Sequence, residues 1–243
     1  MASQIKKRHH MIYKSYRHVL VTLLFVIAPV IFFLFFAKIT HITTATLFTD
    51  IGISLWRMLI AFIISIFLGW GLAVLFYQGK VSTIALPIFD VLQSVPTFAA
   101  LPIAVLYFGQ SATTVIIFLI LALLWPILFS VISSLKLIKN EYREAVEIYG
   151  LRGWKKIRYF TFPASVPGLI TGAIIGLGDA WEAIIATEII VGMKSGLGPF
   201  FQGFSMSPKI TTFGILGLLM IIFAINKIFL LPLLERSHSL VEE

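Results

Sequence analysis

Six stretches of this chain stay apolar for close to the roughly 20 residues a helix needs to cross a bilayer, at about 19–37, 51–77, 84–108, 112–135, 167–191 and 210–231. That repetition leaves little freedom, and the fold it predicts is an all-α integral membrane protein with six transmembrane helices. Composition agrees, because 59% of the residues are hydrophobic and only 12% are charged, which excludes an ordinary soluble domain. The net charge of +8 does not point to nucleic acid, since the basic residues sit between the apolar runs. With no cysteine there is no disulfide framework, thiolate metal site or cysteine nucleophile. No metal site is expected.

Taken in order, residues 1–18 form a basic segment carrying Lys6, Lys7, Arg8, Lys14 and Arg17. The run from Val19 to Ala37 lacks a clear small-residue cleavage site, so an uncleaved first span is expected rather than a signal peptide. Lys38 to Asp50 reads as a short Thr-rich segment. Gln78-Gly79-Lys80 and Gly109-Gln110-Ser111 read as tight turns, and the third run is broken by Pro87, Pro96 and Pro102. Gly192 to Lys209 reads as a glycine-rich loop and 232–243 as a polar tail, which leaves 19–231 as a single transmembrane domain.

Six spans put both termini on one side. On that side lie fourteen Lys and Arg, five of them in 1–17 and seven in 136–158, against three on the other: Lys38, Lys194 and Lys209. Positive charge is retained in the cytoplasm, so both termini and the loop over 136–166 are expected there.

That loop opens the longest polar island in the sequence, Asn140 to Pro167. Tyr142, Ala145, Val146 and Tyr149 fall at i, i+3, i+4 and i+7, one helical face, while Glu141, Arg143, Glu144 and Glu147 fill the other positions. Asn140 suits an N-cap, Glu141 suits the positive end of the helix dipole, and Gly150 supplies the left-handed residue that commonly ends a helix. A basic segment from Arg152 to Arg158 precedes Pro163. The pattern predicts two short helices joined at a glycine corner outside the membrane. An apolar face without lipid around it requires a protein partner.

The order Glu144-Ala145-Val146, three residues, Gly150, nine residues, Phe160-Thr161-Phe162-Pro163 resembles the cytoplasmic loop of permease subunits of ATP-binding-cassette importers. That loop reads E-A-A, three residues, G, nine residues, I-x-L-P; Val146, Phe160 and Phe162 depart from it and stay apolar. The resemblance implies that the helix over 141–149 docks in a groove of a cytosolic ATP-binding subunit, present in two copies, through Tyr142, Ala145, Val146 and Tyr149. Glu144 would bond a partner arginine, and Gly150 and Pro163 would set the angle to the fifth span. The chain contains no G-x-x-x-x-G-K-[ST], so ATP and Mg are expected on the partner, and no cofactor or catalytic residue is expected here.

Further along, Ser54 to Phe62, the Pro87 to Gly109 block, Ala180, Trp181 and Glu188, and Gly196-Leu197-Gly198 resemble permeases of the nitrate/sulfonate/taurine type. The resemblance implies a type I importer permease fold in a prokaryotic cytoplasmic membrane and a second permease subunit, identical or related. It also implies an extracytoplasmic substrate-binding protein and a small anion or small polar organic compound as cargo.

Several polar residues fall at membrane depth. Asp179, Glu182 and Glu188 lie in the fifth run, with Arg57 in the second as the candidate counter-charge. Such groups face a water-filled path or a paired charge, and both a pathway lining and an ion pair pinning two helices fit these four. Gln93, Ser94, Pro96 and Thr97 form either a second candidate lining or an inert kink at the proline. Gly172, Gly176 and Gly178 are placed for close helix approach.

Other function classes fit less well. A membrane hydrolase would need a Ser–His pair, but His9, His10, His18, His41 and His238 all lie outside the spans. A secondary transporter would show an internal repeat, and the two halves do not mirror each other. A purely structural membrane partner predicts that charge reversal at Glu144 alters only abundance.

Overall fold

A computed structural model of the chain describes residues 27–40, 43–203, 207–230 and 232–234. The basic segment 1–18, the start of the first expected span and the tail beyond residue 234 lie outside the described residues. All described elements are helical: α1 Ile27–Thr40, α2 Thr44–Phe76, α3 Gly79–Gln93, α4 Thr97–Phe108, α5 Ala112–Lys136, α6 Asn140–Ile148, α7 Gly153–Lys156, α8 Phe162–Val191, α9 Leu197–Gly203 and α10 Pro208–Ile225. Short π-helical turns follow α7 (Ile157–Thr161) and α10 (Asn226–Leu230).

Four helical runs are long and apolar enough to cross a membrane: Thr44–Phe76, Ala112–Lys136, Gly153–Val191 and Pro208–Leu234. Helices α3 and α4 supply a fifth crossing if the bent pair counts as one, and α1 is a shorter apolar helix. The second span starts earlier than expected, because the Thr-rich segment before Ile51 is already helical from Thr44.

The third run is an elbow rather than a straight span. Helices α3 and α4 meet at 82°. Proline disfavours helical backbone in the residue before it, so Val95 leaves the helix ahead of Pro96. The Ser94 hydroxyl closes the end of α3 by donating to the Val91 carbonyl at 2.7 Å. The chain restarts with the Ala99 N–H on the Pro96 carbonyl at 3.0 Å. Pro87 and Pro102 sit inside α3 and α4 without breaking them.

The polar island also differs from two short helices. Only α6 stands alone. Helix α7 runs through the π turn into α8, giving one 39-residue helical run. Pro163 lies in the first turn of α8 and lacks the N–H that an α-helix would use. The widened turn before it absorbs the gap, with the Phe162 N–H reaching back five residues to the Ile157 carbonyl. The expected loop from Gly192 to Lys209 likewise contains α9.

The chain forms two compact units. In one, a Cβ on Gly217 of α10 would lie 2.7 Å from the Phe33 ring and 2.8 Å from the Phe32 ring of α1, so aromatic rings there rest directly on backbone. In the other, from Phe48 to Gly203, the core is the α5–α8 pair. A Cβ on Gly168 would fall 2.6 Å from the Ser130 carbonyl oxygen, and one on Gly172 would fall 2.6 Å from the Ile127 Cα. Gly176 continues the stripe against Leu123, whereas Gly178 faces open space. Removing Cβ atoms along this face lets two backbones touch where no hydrophobic drive between helices exists in lipid. Ser134 of α5 donates to the Ala164 carbonyl at 3.0 Å. Helix α2 packs alongside through Trp70, whose indole N–H donates to the Ser165 hydroxyl at 2.8 Å.

Candidate functional site

Two features stand out: an exposed amphipathic helix at one end of α5 and α8, and a pair of cavities between helices at membrane depth.

Helix α6 is held at both ends. The Arg143 guanidinium donates to the Leu135 carbonyl at the end of α5, at 3.0 Å. At the other end the Gly150 N–H bonds the Glu147 carbonyl and the Leu151 N–H bonds the Val146 carbonyl, both at 3.0 Å. This paired closure requires a residue in the left-handed region, and Gly150 has φ +64°. Gly153, at φ +54°, completes the corner. Lys139 rather than Asn140 precedes the first turn, and no side chain caps it.

The face of α6 divides differently from expectation. Val146, expected on the outward face, is buried at 6% exposure and fastens α6 to its own chain. Tyr142 and Tyr149 point outward at 56% and 82% exposure, joined by Ile148 at 84%. Leu137 and Trp154, in the flanking segments, are exposed as well, while Glu144 is exposed and Ala145 half-buried. Ile148 was missed because it breaks the i, i+3, i+4 spacing. Pro163 is exposed and lies in the first turn of α8, not on α6.

The membrane-depth residues separate into two groups. Gln93, Thr97, Asp179 and Glu182 gather around two adjoining cavities. The larger, about 490 Å³, is lined by Gln93, Trp125, Phe129, Ser130 and Asp179 among others. The smaller, about 180 Å³, is lined by Thr97, Phe98, Phe118 and Glu182. Ala122 and Asp179 border both. Pro96 is exposed and lines neither; it makes the elbow that places Gln93 and Thr97 on either side.

Arg57 and Glu188 form the second group. Of the three acidic residues offered as its partners, Arg57 pairs with Glu188, at 2.5 Å, as in the reading of an ion pair that pins two helices. Both are buried, Glu188 completely. The Ser54 hydroxyl lies 2.8 and 2.9 Å from the two Glu188 oxygens, and the Gly198 N–H donates to one of them at 2.9 Å. Arg57 also donates to the Ser195 carbonyl, and the Leu197 N–H to Ser54. The Gly196 N–H donates to the Asp50 carboxylate at 2.9 Å. Glu188 of α8, with Asp50, Ser54 and Arg57 of α2, thus fastens the chain from Ser195 to Gly198. The Glu188 carboxylate is bonded through both oxygens, whereas Arg57 uses only its Nη1 in these contacts and also borders a separate cavity of about 430 Å³ beside Trp56 and Ile60.

A family model described as binding-protein-dependent transport system inner membrane component matches residues 65–237, and the chain belongs to that family. It is a permease of the ATP-binding-cassette importer class, a multi-pass protein of the cytoplasmic membrane. Among curated relatives it is 33% identical to the nitrate import permease protein NrtB of Synechocystis sp. over 151 residues, covering 60% of this chain and 54% of that protein. It is 28% identical over 159 residues to the taurine transport system permease protein TauC of Escherichia coli, covering 65% and 58%. A third match, 30% over 114 residues and 47% and 41% of the two chains, is to the bicarbonate transport system permease protein CmpB of Synechococcus elongatus. Each match spans little more than half, or less, of the relative's length.

Proposed function

We propose that this chain forms the solute pathway of an importer driven by a separate ATPase, and that α6 is where the ATPase's motion enters. The observation that carries the reading is the division of α6: Val146 and Arg143 anchor it to its own chain, while Tyr142, Ile148 and Tyr149 are left exposed. A short helix tied to the end of α5, joined through the Gly150 corner to the α7–α8 run and exposing aromatic side chains fits a groove on a soluble partner. Glu144 lies exposed, where it pairs with a basic residue of that partner. Because α7 and α8 are one helical run, displacement of the corner passes into the span that borders both cavities. Gln93, Thr97, Asp179 and Glu182 are the pathway residues, and Arg57 with Glu188 braces the wall behind them. The relatives' names support importer function and leave the cargo of this chain open. A second permease subunit completes the pathway, and an external binding protein delivers the solute.

The test is crosslinking in intact membranes. A cysteine at Tyr149 is expected to capture the ATP-hydrolysing subunit, and one at Ile148 to do so equally well. Failure of both, with the assembly otherwise intact, removes the docking assignment.

A further inference from the structure

The two cavities have a chemical character of their own. Every ionisable side chain lining them is acidic: Asp179 borders both and Glu182 borders the smaller. Neither carboxylate has an ion-pair partner among the described residues, and no Lys, Arg or His lines either space. The basic residue within reach in sequence terms, Arg57, is committed to Glu188 and to the Ser195 carbonyl. The walls are aromatic, with Trp125 and Phe129 in the larger cavity and Phe98 and Phe118 in the smaller. Uncompensated carboxylates at membrane depth are expensive, and they repel an anion in a medium that screens poorly. Carboxylates beside aromatic rings are a setting that attracts an organic cation, through charge and through the negative faces of the rings.

We propose that the cavity between α3, α4, α5 and α8 receives a small organic cation, an amine or a quaternary ammonium group on a compact apolar body, and not an anion such as nitrate. The inference rests on reading these cavities as the solute pathway. Gln93 and Thr97 supply hydrogen bonds to the polar part of such a cargo, and Asp179 and Glu182 supply its counter-charge.

The chain has no cysteine, so an introduced thiol is the only one on this subunit, and labelling is read on this subunit after it is isolated from the others. Ser130→Cys, nearly isosteric, reports on the larger cavity, and Ala122→Cys on both. Each is placed in the complete transport assembly in membrane vesicles. It is then treated with a trimethylammonium-ethyl or a sulfonato-ethyl methanethiosulfonate, and each rate is divided by that reagent's rate with a free thiol in solution. The cationic reagent is expected to be favoured by about tenfold, the effect of a cleft lined by one sign of charge. In D179N/E182Q the ratio is expected to fall towards one. Should the double variant not reach the membrane, D179N and E182Q singly carry the same comparison with smaller steps. A normalised ratio of one or below in the unaltered cavity overturns the cation assignment, and so does a ratio insensitive to both carboxamide substitutions. Failure of both reagents at both thiols throughout ATP turnover is a different result: it overturns the pathway reading, and the cation assignment with it.

Discussion

Glu188 is the residue on which most of the buried polar structure converges. Replacing it with Leu leaves the Arg57 guanidinium charged, buried and unpaired, a loss of about 3–5 kcal/mol. The E188L chain is expected to lose its folded state at a much lower temperature in lipid nanodiscs. R57M/E188L is expected to regain most of the loss, because an apolar pair of similar volume removes the stranded charge; no recovery in that double variant would show that the pair acts through something other than charge. Gly198 is equally intolerant, since a Cβ there would sit 2.5 Å from the Glu188 Cβ and 2.9 Å from the Ile185 carbonyl. The ionisable residues were legible in the sequence, but their partners were not. Asp179 and Glu188 are nine residues apart on α8, about half a revolution at 3.6 residues per turn, so one helix cannot present both to the same neighbour. Helical geometry separates them; only packing reveals that the Glu188 face is the one meeting α2.

At the scale of elements, α6 and the α5–α8 seam carry the most specific expectations. A Cβ on Gly150 meets nothing within 4 Å, so the constraint there is purely its φ of +64°. A β-branched residue in that conformation costs on the order of 1–2 kcal/mol and distorts the corner rather than the core. Gly150→Val is therefore expected to assemble normally and to uncouple ATP hydrolysis from uptake, measured as ATPase turnover per solute transported; unchanged coupling would count against the role of α6. In the seam, Gly172→Ala must displace Ile127 backbone and is expected to destabilise by about 1–3 kcal/mol, the range for overpacking. Gly178→Ala, facing open space, is expected to be neutral, and comparison of the two melting temperatures checks both. The sequence singled out Gly172 and Gly176 correctly for contact and Gly178 incorrectly. Gly168 was overlooked because it adjoins Pro167, at the edge of the polar island. The corner itself was readable from Gly150, yet the continuity of α7 with α8 was not, because a proline five residues after the basic segment ending at Arg158 reads as a stop unless a π turn prepares for it.

For the whole molecule, the distribution of Lys and Arg sets the orientation to be tested. Lys155→Cys is expected to react with a membrane-impermeant thiol reagent only after permeabilisation, and Lys194→Cys from outside in intact cells; the reverse pattern would invert the topology. The repeated apolar runs made a helical membrane protein legible at once, because length and hydropathy suffice for that. The 82° elbow was less so: three prolines occur in the third run and nothing in their spacing marks Pro96 as the one that bends it.

The glycine seam has a mechanical corollary. Because α5 and α8 lie backbone to backbone, a push delivered through α6, as proposed above, would swing them as one slab, and the cavity walls they contribute would travel with it. On that reading, widening the passage would depend on what the slab swings away from: the bent arm of α3 and α4, or the second subunit proposed across the pathway.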